Sequence, residues 1–258
     1  MGETIQPTER LHGAPKPRFI MTTSWDDGHP LDFRVADLLA KYGLRGTFYV
    51  PFECEHAVLT APQVKELART FEVGAHTLHH VDLTATSDAV AKAEITGSRH
   101  VIEEIIGNEC KSFCFPKGRF GRRHLAMVKN AGFAAARTVE LFSLDAPTHA
   151  KGLALIPTTV QAFPHTPMAY WSNCAKRFKV RNLQRAIESR ANEDWASLAI
   201  RLLERAAKCG GVFHLWGHSW EIEETRQWQN LERVLAAMER SKRDGICVSN
   251  FEMCRSVN

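Results

Sequence analysis

Apolar residues recur along this chain in two alternating periods. Short runs rich in β-branched and aromatic residues read as strands, at 18–25 (RFIMTTSW), 46–50, 71–75, 111–115, 133–138, 153–156, 212–217 and 246–249. Between them the spacing turns helical. Leu31, Val35, Leu38 and Leu39 share one face before Gly43; Val64, Leu67 and Ala68 share another, behind a capping Thr60 and a first-turn Pro62. A long helix is predicted over 87–106 with Ser87 as its cap, and another from Arg122 to Gly132. Trp195, Leu198, Ala199, Leu202 and Ala206 line a further helix before Gly210, and Leu231, Val234, Leu235 and Met238 mark the last. Strand and helix in alternation imply parallel βα units, and close to eight of them predict a barrel rather than an open sheet. The alternation lapses over 157–190, which predicts an insertion over the barrel mouth.

At 258 residues the chain can bury a full core without staples. One domain over 18–258 is expected, preceded by a polar arm at 1–17. Seven cysteines, with no C-x-x-C pair, predict reduced thiols and a cytoplasmic protein. The start lacks the apolar core of a secretory signal, and no stretch is long enough to span a membrane. The net charge of +4 is mild. Lys176, Arg177, Lys179, Arg181, Arg185 and Arg190 crowd one segment, which reads first as a solvated helix face. No glycine-rich phosphate fingerprint follows the first strand, and no nucleic-acid partner is expected.

The residues that can do chemistry sit where strands end. Asp26-Asp27-Gly28 follows the first strand, His76-Thr77-Leu78-His79-His80 the third, Pro116-Lys117-Gly118 the fourth, and His218 the penultimate one. In a parallel barrel these ends share the face where active sites are built. Asp-Asp-Gly alone is most often a turn. Joined to two histidines four apart, it suggests a division of labour: one carboxylate with His76 and His80 holds a divalent metal, and the other acts as base on a metal-bound water. His29 and His79 read as loop or supporting residues, and Cys114 as a small apolar one.

These motifs resemble those of the polysaccharide deacetylase family, the NodB-homology domain. Its T-F-D-D-G motif is matched by Thr23-Ser24-Trp25-Asp26-Asp27-Gly28 with one extra residue, its H-[ST]-x-x-H motif by His76 to His80, and its second strand by Gly46-Thr47-Phe48-Tyr49-Val50. The similarity runs over about 18–250. It implies a distorted (β/α) barrel with seven to eight parallel strands. It also implies metal-dependent removal of an N-acetyl group from an amino sugar. Asp26 would be the base, and Asp27, His76 and His80 would hold one divalent ion, zinc first, with cobalt, nickel or iron also suited. The Lys117 backbone N–H would face the oxyanion, and a histidine would protonate the leaving amine. His218 is the first choice for that acid and His214 the second.

Two family motifs depart. Cys114 stands where many members carry an arginine that contacts the base, leaving Lys117 and Arg119 as candidates to orient Asp26. The family's aspartate near a tryptophan has two candidates, Asp145 and Glu140. Trp25, Trp216, Trp220 and Arg119 are the candidate substrate contacts, since aromatic faces stack on sugars, although packing is the commoner role for any one tryptophan. The expected partner is an amino-sugar glycan, or a nucleotide- or lipid-linked sugar whose diphosphate, or the anionic leaflet, meets the basic segment in peripheral membrane contact. A cyclic imide or ureide amidohydrolase would use the same site, and a non-catalytic sugar-binding module would keep the same fold.

Overall fold

The computed structural model describes residues 19–166, 168, 181–182, 184–185 and 194–256. Its strands are β1 (Phe19–Asp26), β2 (Thr47–Val50), β3 (Glu72–Ala75), β4 (Ser112–Cys114), β5 (Ala135–Arg137), β6 (Thr148–Ala150), β7 (Leu153–Ile156), β8 (Val160–Gln161), β9 (Val212–Gly217) and β10 (Gly245–Cys247). They form one sheet in the order β6-β7-β5-β4-β3-β2-β1-β9-β8, with β10 also paired to β1. Every pairing is parallel except β6 with β7. β1 is an interior strand paired with β2, β9 and β10, and all eight of its residues are buried, which is why it reads as an unbroken apolar and β-branched run.

Helices α1 (Asp32–Lys41), α2 (Ala61–Leu67), α3 (Asp88–Ile106), α4 (Arg122–Asn130), α5 (Trp195–Cys209), α6 (Ser219–Glu224), α7 (Trp228–Ser241) and α8 (Asn250–Ser256) pack with the sheet, and 3-10 turns form at Leu83–Ala85 and Pro116–Gly118. Local chemistry sets their starts. The Thr60 N–H donates to Gln63 Oε1 at 2.9 Å, Ser87 Oγ accepts from Val90 N at 3.4 Å, and Asp194 Oδ1 accepts from Ala196 N and Ser197 N at 3.0 Å. α5 and α7 turn their apolar stripes inward, burying Leu198, Leu202, Val234 and Leu235.

All eight expected strands are found, and two short ones join them. β6 is mostly exposed and carries no alternation. It is held by a two-residue hairpin loop, Lys151-Gly152, with φ of 55° and 74°, the left-handed pair that hairpin twist favours. β8 closes the structure. β7 pairs with β5, and only Pro157, Thr158 and Thr159 separate it from β8, which pairs with β9. The stretch 153–161 therefore bridges the two ends of a curled sheet, matching the distorted barrel. Thr159 fastens the bridge. Its N–H donates to His214 O at 2.9 Å, and its hydroxyl donates to Ser143 O at 2.6 Å while accepting from His214 N at 2.9 Å.

Thr159→Val keeps the shape but leaves buried backbone groups without partners. It should cost about 1–3 kcal/mol, read as a lower urea midpoint at unchanged slope. An unchanged midpoint would mean that closure does not depend on this hydroxyl.

Candidate active site

Five strand ends converge at one mouth. Asp26 is the last residue of β1, buried like the strand it ends. Asp27 then takes a left-handed φ of 74°, which turns the chain sharply. Gly28 follows at φ 57°, and a Cβ there would lie 2.8 Å from Val50 Cγ1, so only glycine fits. Adjacent carboxylates are thus aimed at different partners. Thr77, His80 and Lys117 also have left-handed φ, at 63°, 49° and 56°. Non-glycine residues held this way cost energy and cluster at functional sites.

Asp27, His76 and His80 form the first group. His76 Nε2 lies 3.5 Å and His80 Nε2 3.3 Å from Asp27 Oδ1, and that buried oxygen has no hydrogen-bond partner among the described residues. His76 Nδ1 lies 2.9 Å from Cys114 O, so its N–H donates there and Nε2 is left turned toward the carboxylate. Trp220 Nε1–H donates to Asp27 Oδ2 at 3.0 Å. Two imidazoles and an orphaned carboxylate oxygen, with His76 and Asp27 each steadied by an outer partner, suit a divalent ion. Burial works against the Asp27 charge, but His76, His218 and His80 hold its pKa far below the ordinary value. Burial, then His76, pushes His80 down to about 4, so it stays neutral and able to bind metal.

Asp26 belongs to a second group. Its Oδ2 pairs with Nη2 of Arg137, the last residue of β5, a fully buried guanidinium lying 4.6 Å over the Trp216 ring. Cys114 Sγ is 3.7 Å from the same oxygen, while Oδ1 has no hydrogen-bond partner among the described residues. Burial raises the Asp26 pKa, and the Arg137 charge with His76 and His218 more than offsets it, so the carboxylate stays ionised. Neither Lys117 nor Arg119 orients it. Arg119 is exposed, pairs with Asp82 at 2.9 Å and is not among the residues that line the cavity. Arg137 is the residue missed from sequence. In the β4–β5 register its Cα partner is Cys114, so the guanidinium stands one strand over at the same level.

A third group surrounds His218. Its Nε2 lies 3.9 Å from Asp26 Oδ2 and 3.8 Å from Asp27 Oδ2, and its Nδ1 is 2.6 Å from Glu221 Oε2. Gln161 Nε2 donates to the same Glu221 oxygen at 2.9 Å, and His165 Nε2 is 2.7 Å from Gln161 Oε1. Burial disfavours the His218 cation, but Glu221 and the two aspartates raise its pKa overall. His214 is a core residue instead. Its ring nitrogens meet Ser24 Oγ and Pro157 O, both at 2.9 Å, and burial pushes its pKa down to about 3. Asp145 and Glu140 do not back the histidine: Asp145 pairs with Arg185 at 3.0 Å and Glu140 accepts from Asn182 at 3.0 Å. Glu221, one helical turn beyond His218, is the carboxylate that meets its Nδ1.

These groups border one cavity of about 350 Å³, walled by Phe115, Val139, Leu141, Trp216 and Trp220. Lys117 and Gly118 form its rim, and Val139 packs so close to Gly118 that a Cβ there would lie 2.2 Å from Cγ2. Trp25 does not reach it; the ring is fully buried, with Nε1 3.3 Å from Thr23 Oγ1. One face of Trp220 is taken by His56, with ring centroids 4.1 Å apart. Lys176, Arg177, Lys179 and Arg190, with the 1–17 arm, lie outside the described residues, and of the expected basic face Arg181 is exposed and Arg185 buried. The six described cysteines are free thiols. No helix among the described residues is long and apolar enough to cross a membrane.

Arg137→Met should strand a buried carboxylate and cost about 3–5 kcal/mol, most of it recovered when Asp26→Asn is added. The sign in pH follows from the lowered Asp26 pKa. Its contribution is present above the unfolded value of about 3.9 and is lost as pH falls. Chemical denaturation of the wild type and of the double variant between roughly pH 5 and 2 checks this: the wild type should lose more stability. Equal losses would mean that the pair does not hold Asp26 ionised.

Residues 13–136 match the family described as polysaccharide deacetylase. No curated protein sequence matches the chain. Solved structures match it in fold. The Xyl-CE4 domain of a multidomain xylanase from the hindgut metagenome of Trinervitermes trinervoides shares 15% identity at a TM-score of 0.57, over 93% of this chain and 91% of that one. The chitin deacetylase of the fungal pathogen Colletotrichum lindemuthianum shares 14% at 0.60, over 92% and 88%. A CE4 family pseudoenzyme from Bacillus anthracis shares 14% at 0.51, over 96% and 69%. With two aspartates and two histidines gathered at the mouth of its barrel, this chain is similar to the polysaccharide deacetylase family over residues 13–136.

Proposed function

We propose that the chain is a metal-dependent hydrolase that removes the N-acetyl group from an amino sugar of a glycan or glycan precursor. The observation that carries this reading is the separation of charges at the mouth. Asp27, with an orphaned oxygen facing two imidazoles, is set apart from Asp26, which is held ionised by its own buried cation. A mere sugar-binding module needs no such base. Asp27, His76 and His80 would hold the ion, and a borderline ion such as zinc suits two imidazoles and one carboxylate, with cobalt, nickel or iron(II) also accepted. When bound, it supplies Lewis acidity toward water and toward the acyl carbonyl.

The protein's own residues do the rest. Asp26 takes the proton of the attacking water on Oδ1, the oxygen that Arg137 leaves unoccupied. The Lys117 backbone N–H, at the cavity rim, faces the developing oxyanion. His218, whose pKa Glu221 raises, gives a proton to the sugar nitrogen as the C–N bond breaks, so an amine and acetate leave. The apolar wall of Phe115, Val139 and Leu141 suits the acetyl methyl, and Trp216 and Trp220 suit a sugar face.

Zinc- or cobalt-loaded protein should release acetate from at least one member of a panel of N-acetylated sugars, and Asp26→Asn should lower the rate by roughly 10²–10⁴-fold. A chelator should abolish the release and added metal restore it. Ring opening of succinimide-type substrates without any acetate would replace the sugar by a cyclic amide. In Glu221→Gln the His218 pKa loses its main support, so the alkaline limb of the pH–rate profile should move to lower pH. An unmoved limb would remove His218 as the acid.

A further inference from the structure

We infer that Cys54 is a fourth protein ligand of the metal, supplying a thiolate beside Asp27 and His80. This rests on the metal reading above. Ligand atoms of Asp27, Cys54 and His80 all lie within 4.8 Å of one another. In a tetrahedral zinc site, Zn–S of about 2.3 Å and Zn–N of about 2.0 Å put sulfur and nitrogen about 3.5 Å apart, so the Cys54 sulfur and the His80 nitrogen, within 4.8 Å of each other, would close by no more than about 1.3 Å. A second observation points to the same spot: Asp27 Oδ1 is buried and has no hydrogen-bond partner among the described residues.

The loop bearing Cys54 is fastened to both metal-bearing loops. Phe52 N and Glu53 N donate to Leu78 O, between the two histidines, at 2.8 and 3.0 Å, and Leu59 N donates to Gly28 O at 2.7 Å. Two residues on, His56 stacks on the indole that donates to Asp27. The sulfur of Cys114 is placed differently. It packs at 3.7 Å on Asp26, the proposed base, in a strand end that is fully buried. A thiolate is a soft ligand that favours zinc and cobalt over manganese. It also fills the coordination position that a catalytic zinc site keeps open. Were the ion bound, Cys54 would have to yield that position, or share the ion in an expanded shell, for water and substrate to reach it.

Cobalt(II) loading reads this without activity. The wild-type chain should show a sulfur-to-cobalt charge-transfer band in the near ultraviolet, retained in Cys114→Ser and absent in Cys54→Ser, whose far-ultraviolet circular dichroism should match the wild type. Zinc affinity of Cys54→Ser, measured by chelator competition, should fall at least the roughly 10–100-fold that loss of an outer partner costs. Bound cobalt with visible bands but no sulfur band would overturn the inference and leave the three-ligand site standing. A band that persists in Cys54→Ser and vanishes in Cys114→Ser would overturn it in favour of Cys114. A protein that binds no cobalt would sink both this inference and the metal reading.

Discussion

The site depends on the buried pairing of Arg137 with Asp26. Two carboxylates adjacent in sequence, both under one-twentieth exposed, would repel each other and protonate if left alone. The fold prevents this by giving each its own counter-charge. Arg137 serves Asp26, and the imidazole pair, with whatever cation it binds, serves Asp27. The arginine itself is fully buried, and its Nε and Nη1 lack hydrogen-bond partners among the described residues. Its charge is answered by the carboxylate and the face of Trp216. Neither member can be changed alone without stranding a charge in the interior.

Barrel closure puts the remaining pieces within reach. The bridge 153–161 ends in Gln161, which ties Glu221 to the cavity wall, so the same short stretch that joins the sheet's ends also steadies the group behind His218. Its Thr159 locks β9 at His214, which makes His214 a structural residue and leaves His218, at the end of that strand, to face the mouth.

Much of this was legible in the chain. The strands and their parallel pairing followed from alternation, and the cluster at the mouth from His76, His80 and the aspartates, because these patterns are local. What stayed hidden was set by register or by a change of element. Arg137 sits in an Ala-Ala-Arg strand with no motif about it, and only its pairing with Cys114 brings it to Asp26. Strict alternation would put His214 and His218 on one face, but β9 ends at Gly217 and His218 caps α6, which turns the second ring away from the first. The same cap places Glu221 one turn on, a spacing that means nothing until the helix is known. Trp25 was misjudged because strand β1 is buried on both faces, so a large aromatic near its end is core.

The register between Cys114 and Arg137 reaches beyond this one chain. A guanidinium needed at one height of the barrel can be delivered from either of two neighbouring strands, since their Cα atoms stand side by side there. A column of an alignment sees one strand at a time and would score Cys114 as a lost catalytic feature. The unit that holds the function is a rung of the sheet, and an inactive relative is better diagnosed by an empty rung than by a missing letter.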